Sequence, residues 1–219
     1  LLSWIGTGML LGHCAACGYG RATGVIDPNC DVSKLCEDVA KRVGGVCLDF
    51  YRKQPLILVK SYGQAKKGQP ELSYIPEFLK YVVTEIIKNS CRATLESQAQ
   101  VDEPLLSRPI MIIVCADAHQ VVVRISDRAH GIPFEVGDRV WSYTYTTAAK
   151  QKENTTGYAR EATPLAGYGV GLPLSRLYVR YLGGSMKLHS CPGYGTEVFL
   201  YLPRVSSDLV EVVPDLDND

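Results

Sequence analysis

The chain lacks any net charge, because its 23 basic residues balance its 23 acidic residues. It therefore has no charge excess of the kind that attracts nucleic acid or an anionic membrane, and we expect neither as a partner. A run of about 18 apolar residues is also missing, so no transmembrane helix is predicted. There is no basic-then-apolar signal peptide. The chain begins Leu1-Leu2-Ser3 without Met, which leaves a targeting segment or an upstream domain open.

Three common site motifs are absent as well. The chain has no P-loop lysine, and its glycine-rich segment does not follow a parallel strand as the dinucleotide fingerprint does. The sequence His13-Cys14-x-x-Cys17 resembles half a zinc site, but no second Cys or His pair has matching spacing. The chain has eight cysteines, and several fall in the apolar phase of helices or strands. We expect free thiols in a reducing compartment rather than a disulfide framework.

What the chain does have is a globular composition, with 46% hydrophobic residues over 219 positions. Hydrophobic periodicity and turn residues predict helices at 1–11, 31–54, 76–98, 134–142 and 171–182. Strands are predicted at 56–59, 110–115, 121–125, 186–189 and 196–202, with a short one around Val25-Ile26. The last four of the main strands form two antiparallel hairpins. The pattern predicts an α+β fold, a two-layer sandwich with helices on one face of a mainly antiparallel sheet.

The first helix raises the question of domain organisation. It is predicted to break at Gly12, and it is too short and too apolar to be stable alone in water. It either packs on this domain or ends a helical bundle that lies upstream. We divide the chain into the end of such a bundle at 1–13, a main domain at 14–203 and an acidic tail at 204–219. A polar segment without periodicity at 148–166 is typical of a functional lid.

Candidate site residues begin on the predicted helix at 76–98. Glu85 and Asn89 are four residues apart, so they share one helical face, opposite the apolar stripe. Asn89 offers a neutral oxygen of the kind that Mg²⁺ binds beside phosphates. Glu85 is placed to polarise an attacking hydroxyl or water. For an arbitrary helix, a polar row of this kind is a solvated surface.

Two later loops supply what such a row needs to bind a nucleotide. Asp127 ends a strand and is followed by Gly131, and its carboxylate is an acceptor suited to the exocyclic amine of adenine. The alternative is that Asp127 caps the next turn. Gly167-x-Gly169-x-Gly171 precedes a helix, where backbone amides and the helix N-terminus favour phosphate.

The order of these motifs resembles that in the ATP-binding fold shared by gyrase, Hsp90, histidine kinases and MutL. The motifs are Glu-x-x-x-Asn, then Asp-x-x-x-Gly, then Gly-x-Gly-x-Gly. Longer stretches resemble the mitochondrial 2-oxo-acid dehydrogenase kinases. These stretches are Ile26-Asp27-Pro28-Asn29-Cys30, residues 88–97, Ile125-Ser126-Asp127-Arg128, residues 141–147 and residues 164–178. The resemblance covers roughly residues 5–202, including Ile5-Gly6-Thr7-Gly8-Met9-Leu10, which is similar to the last helix of that family's N-terminal bundle.

The resemblance implies a serine kinase that uses ATP and Mg²⁺ to phosphorylate the E1 alpha subunit of a 2-oxo-acid dehydrogenase and inactivate it. Glu85 would be the general base, Asn89 the Mg²⁺ ligand, Arg92 a phosphate contact and Asp127 the adenine contact. The further ATP-binding residues would be Gly131, Thr146, Thr147, Gly167, Gly169, Val170, Gly171, Leu172 and Thr196. Carbonyls of Val140, Ser142, Tyr145 and Gly169 match the family's K⁺ site.

The same resemblance implies the lipoyl domain of E2 as a second partner, a homodimer, and the mitochondrial matrix as location. Ile26-Asp27-Pro28-Asn29-Cys30 and the lid ending Thr163-Pro164-Leu165-Ala166-Gly167 favour the pyruvate branch of the family. Tyr81, one turn before Glu85, is instead like the branched-chain enzyme. We expect the lid at 148–166 to become ordered only when nucleotide is bound.

The adenine loop departs from the family's Asp-Arg-Gly-Gly-Gly, because Ala129 and His130 replace two glycines. We expect Ala129 to crowd the base and to need backbone angles unfavourable to alanine, and His130 to be solvent-exposed. This departure leaves a second hypothesis open, a regulatory module that binds ATP and transfers nothing. A histidine autokinase is a more distant third, because His13 lacks the acidic neighbour that such a site uses.

Overall fold

The computed structural model describes residues 2–18, 24–63, 72–97, 104–145, 165 and 168–204. Its helices are α1 (Leu2–Gly18), α2 (Val32–Tyr51), α3 (Pro76–Ser97) and α4 (Gly171–Tyr181). Its strands are β1 (Asp27–Cys30), β2 (Ile57–Gly63), β3 (Leu72–Tyr74), β4 (Ile110–Ala116), β5 (Gln120–Asp127), β6 (Ser185–Cys191) and β7 (Gly195–Pro203). Two short 3₁₀ segments lie at Leu105–Ser107 and Gly137–Trp141.

Five strands form the main sheet, in the order β2-β4-β5-β7-β6. Strand β2 runs parallel to β4, with Ile57 opposite Ile110, and the other three pairings are antiparallel. Strands β1 and β3 form a separate antiparallel pair. The register of β5 and β7 places Asp127 opposite Thr196, so the end of the β4–β5 hairpin lies beside the turn of the β6–β7 hairpin.

Helices α2, α3 and α4 pack on one face of this sheet, where α2 contacts β2 and β4, α3 contacts β5, and α4 contacts β6. Along β5 every second residue is buried, which is the period of a strand with one covered face. Helix α2 begins where the Asp31 side chain accepts a hydrogen bond from the Lys34 amide at 2.9 Å, and α3 begins at Pro76, a residue favoured at the first helical position. The predicted α+β sandwich is confirmed.

Several element boundaries were wrong. Helix α1 continues through Gly12, because glycine costs a helix only about 1 kcal/mol and Val25 packs closely over this position. The segment expected to be helical at 134–142 forms only the 3₁₀ turn Gly137–Trp141, since Gly137 has φ of +41°. Strand β2 extends to Gly63 because its second half pairs with β4, a tertiary contact that the local sequence does not reveal. Strand β3 was missed, and β1 lies just after the predicted strand at Val25-Ile26.

The predicted boundary between residues 13 and 14 falls inside α1. Assignment of residues 1–13 to an upstream bundle stays a prediction. The lid at 148–166, apart from the buried Leu165, lies outside the described residues, as do residues 205–219 of the predicted tail. Among the described helices, none is both long and apolar enough to cross a membrane.

Candidate functional site

A cavity of about 440 Å³ opens between α3, the loop after β5, the start of α4 and the β6–β7 hairpin. Its volume lies in the range of roughly 300–1,000 Å³ that is usual for small-molecule sites. Nine predicted site residues line it: Glu85, Asn89, Arg92, Asp127, Gly131, Gly169, Gly171, Leu172 and Thr196. Tyr145 and Val140 from the predicted K⁺ site line it as well. Residues more than a hundred positions apart in the sequence thus share one cavity.

Helix α3 supplies one wall, because the face that carries Glu85 and Asn89 turns toward the cavity while its apolar stripe is buried. The Glu85 carboxylate lies 3.0 Å from the Lys88 ammonium. Further along the helix, Arg92 lies 3.6 Å from Glu96. Burial raises the pKa of Glu96, opposed by the Arg92 charge. The polar row is therefore a half-buried set of ion pairs around Asn89, not a solvated surface.

Asp127 is buried at the floor of the cavity. Its Oδ2 accepts a hydrogen bond from the Ser90 hydroxyl at 2.7 Å. Its Oδ1 accepts from the amides of Ala129 at 3.2 Å and Thr196 at 3.3 Å. Because a carboxylate has about four acceptor positions, these three bonds leave one position on Oδ2 for a ligand donor. Desolvation raises the pKa of Asp127, and the three hydrogen bonds oppose that rise.

The sequence interpretation missed the Ser90 hydroxyl, which bonds to Asp127, and the buried polar residues that follow it on α3. Ser90, Thr94 and Ser97 are small polar residues buried within the apolar stripe of α3. This break in the apolar stripe could have indicated such a contact from the sequence, because a buried hydroxyl group needs a hydrogen-bond partner. On the far side of the loop, the Arg108 guanidinium is buried and lies 3.4 Å from both the Ser97 hydroxyl and the Arg128 carbonyl.

The glycine-rich segment forms the opposite wall. Gly169 has φ of +74°, and a Cβ there would meet the Tyr145 backbone at 2.6–2.7 Å, so only glycine fits. Gly171 begins α4, whose N-terminus has no side-chain cap. The first amides of α4 therefore have no side-chain acceptor at the cap. They lie next to the cavity, because Gly171 and Leu172 line it. Such an end favours a phosphate.

Not every predicted residue is placed at the cavity. Val170 is the N-cap of α4 and Ser142 ends the 3₁₀ turn, and neither lines the cavity. Thr146, Thr147 and Gly167 lie outside the described residues. Of the residues predicted to bind K⁺, Gly169 lies against the Tyr145 backbone, and the ion itself stays a prediction.

The expectation of unfavourable backbone angles at Ala129 was wrong, and the expected exposure of His130 was right, while crowding of adenine by Ala129, which lines the cavity, stays a prediction. Ala129 is buried and is not among the residues with positive φ. The left-handed residue is His130, with φ of +64°, and its side chain is exposed as expected. The β6–β7 turn holds it there, because the His130 amide donates to the Tyr194 carbonyl at 3.2 Å and its carbonyl accepts from the Gly193 amide at 2.8 Å.

His130→Gly should therefore stabilise the protein. The left-handed conformation costs an ordinary residue roughly 1 kcal/mol more than glycine, which corresponds to an increase of about 2–4 °C in Tm. The matched variant Ala129→Gly should lower Tm, because it removes a buried methyl group and gains no relief of strain. Thermal unfolding of both variants checks this. An Ala129→Gly variant more stable than His130→Gly would contradict the assignment of strain.

This fold and cavity define a class of nucleotide-binding protein. The sequence profile of the histidine kinase-, DNA gyrase B-, and HSP90-like ATPase family matches residues 74–206, which include α3, the Asp127 loop, α4 and both hairpins. The chain belongs to that family.

Within the family, the resemblance to the mitochondrial 2-oxo-acid dehydrogenase kinases is confirmed. The chain is 38% identical over 192 residues to a protein of Rattus norvegicus named [Pyruvate dehydrogenase (acetyl-transferring)] kinase isozyme 4, mitochondrial, covering 87% of this chain and 45% of that protein. The human isozyme 4 is also 38% identical, with the same coverage. Isozyme 1 of Rattus norvegicus is 34% identical over 207 residues, covering 94% of this chain and 46% of the relative. The chain thus spans less than half the length of these relatives.

Proposed function

We propose that this chain is the ATP-binding and catalytic domain of a protein serine kinase. One observation carries the proposal: Asp127, which has an acceptor position left on Oδ2, lines the same cavity as Glu85, Asn89 and the start of α4. An adenine amine on Asp127 would direct the phosphates toward α4. A site of this kind binds one end of a nucleotide by hydrogen bonding and the other by helix amides and Arg92.

The residues around Asn89 fit a Mg²⁺ ion, because a carboxamide oxygen beside a phosphate-binding helix end is the kind of hard ligand that this ion shares with nucleotides. Mg²⁺ would neutralise phosphate charge. Glu85 would accept the proton of the attacking serine hydroxyl, since its carboxylate lies one helical turn from Asn89 and faces the cavity. Carbonyls of Tyr145 and Gly169 would hold K⁺ beside the glycine-rich segment.

The substrate we propose is the E1 alpha subunit of pyruvate dehydrogenase, whose phosphorylation would switch the complex off. Support comes from the names of the relatives in rat and human and from the two motifs of the pyruvate branch. Tyr81 is like the residue of the branched-chain kinase, so the E1 alpha subunit of the branched-chain dehydrogenase is the alternative substrate. The mitochondrial matrix as location and the E2 lipoyl domain as a second partner follow from the same relationship.

A transfer assay tests the proposed function. The protein is incubated with Mg-[γ-³²P]ATP and either purified pyruvate E1 or purified branched-chain E1. Labelled serine on pyruvate E1 alpha is the expected result. Label on branched-chain E1 alone would reassign the substrate. ATP binding without label on either protein, also in a form extended to the length of the relatives, would favour the regulatory module.

We also propose that the protein forms a homodimer through the face of the main sheet opposite the helices. Side chains on that face are only partly buried and include apolar residues on three neighbouring strands, namely Met111, Ile113, Val122, Phe199 and Tyr201. Arg124 lies among them, between Ile113 and Phe199 on the neighbouring strands, and pairs with Glu197. Lys187 lies over the Tyr201 ring. Aromatic residues, Met and Arg, all present on this face, are enriched in interfaces between proteins.

Ile113→Glu should therefore shift the protein toward a monomer, because it adds a carboxylate to this face, where Arg124 already pairs with Glu197. Leu48→Glu is the control, since Leu48 is an exposed apolar residue on the helical side of the domain. Sedimentation equilibrium of the parent and both variants measures the effect. A monomeric parent, or a dimer that survives Ile113→Glu unchanged, would contradict this interface.

A further inference from the structure

Helix α3 carries two Glu–Lys pairs with the same spacing and different surroundings. Glu77 and Lys80 lie 3.6 Å apart with side chains 78% and 40% exposed. Glu85 and Lys88 lie 3.0 Å apart with side chains only 17% and 21% exposed. Exposed pairs of this kind contribute little, because water and salt screen them, whereas a mostly buried pair is screened much less. The second pair is therefore able to fix the position of its carboxylate.

The other side of the same carboxylate is bounded by α4. A Cβ on Gly171 would lie 2.5 Å from Glu85 Oε2 and 3.4 Å from its Cδ. Gly171 is not among the residues with positive φ, so its backbone would accept alanine. The atoms that exclude a side chain at this position belong to Glu85. The missing Cβ thus makes room for the carboxylate at the first residue of α4.

We propose that Lys88 and Gly171 form a seat for the Glu85 carboxylate and act as positioning residues for the transfer reaction. The ammonium of Lys88 holds Oε1, and the space at Gly171 receives Oε2. Glu85 lines the cavity whereas Lys88 is not one of the residues that line it, so the lysine orients the base from outside the reaction space. This inference rests on the proposed kinase function for its catalytic meaning, and on geometry alone for the seat itself.

An NMR measurement tests the seat without relying on activity. In protein labelled with ¹⁵N at lysine, the Nζ resonance of Lys88 should differ from that of Lys80 and should exchange its protons more slowly. Glu85→Gln and Gly171→Ala should each move it toward the position of an exposed lysine. Glu77→Gln is the matched control and should leave it unchanged. A Lys88 resonance that is indifferent to both Glu85→Gln and Gly171→Ala would overturn the seat.

The catalytic part is tested by phosphate transfer to pyruvate E1 at saturating Mg-ATP. Misplacing a reacting group by about 1 Å can cost 100-fold in rate, so Lys88→Met should lower kcat by about 10- to 100-fold. The KM for ATP should change little, Lys88→Arg should restore most of the rate, and Lys80→Met should match the parent. A Lys88→Met variant with the parent's kcat would overturn the positioning role. Absence of transfer in the parent would instead overturn the proposed function, while the NMR result still decides the seat.

Discussion

Glu85→Gln should abolish most phosphate transfer and leave the protein folded and able to bind ATP. General-base assistance is typically worth about 10²- to 10⁴-fold in rate, and the carboxamide keeps the shape of the side chain while removing the base. The structure supports the choice of residue, because Glu85 faces the cavity one turn from Asn89 and is held by Lys88. Initial rates of E1 labelling at saturating Mg-ATP measure the loss.

The control for this variant is Glu77→Gln, on the same helix and in a similar ion pair, but with an exposed side chain. It should transfer phosphate as fast as the parent. ATP affinity should stay within about threefold of the parent's in both variants, because an interaction made only in the transition state does not contribute to binding of the ground state. If Glu85→Gln transfers as fast as Glu77→Gln, Glu85 is not the base.

The second large effect is expected for Asp127→Ala. Hydrogen bonds to a charged group contribute about 1.5–3 kcal/mol, so ATP affinity should fall by roughly 10- to 100-fold. Preference for ATP over GTP should disappear, because guanine has no amine at the position that Asp127 would recognise. Calorimetric titration of each nucleotide against the variant and the parent measures both changes. Preference for ATP that persists in Asp127→Ala would contradict the assignment of this residue to adenine.

Two companion variants separate recognition from folding. Ser90→Ala removes the hydrogen bond to Asp127 Oδ2 but keeps the carboxylate, so it should lower stability and retain the preference for ATP. Asn89→Ala should lose the Mg²⁺ dependence of nucleotide affinity while keeping selectivity for the base. A Mg²⁺ dependence of nucleotide affinity in Asn89→Ala as large as that of the parent would contradict its role as the metal ligand.

The main helices and strands of the site region could be predicted from sequence because their signals are local. Helix α3 has Pro76 at its start and an apolar stripe over most of its length, and β5 alternates strictly, so the hydrophobic period and the helix-start residue were sufficient. The second half of β2 and the short β3 could not be predicted in this way. Both exist because of pairing with distant strands, and their own sequences do not favour a strand.

The candidate site was predictable in its residue types and order, since Glu85, Asn89, Asp127 and the glycine-rich segment share one cavity. The contacts that support these residues could not be predicted from the sequence. The bond from Ser90 to Asp127, the fit of Glu85 against Gly171 and the left-handed turn at His130 depend on how elements pack. The strain was assigned to Ala129 because the sequence does not reveal which residue of the loop before Gly131 must adopt positive φ.

The most direct test of the account is a crystal structure of the protein with Mg²⁺ and a non-hydrolysable ATP analogue. We predict the adenine amine within about 3 Å of Asp127 Oδ2, a metal ion on the Asn89 side chain, and the terminal phosphate on the cavity side of Glu85, next to the first amides of α4. A nucleotide bound outside this cavity, or bound with its phosphates directed away from α4, would contradict it.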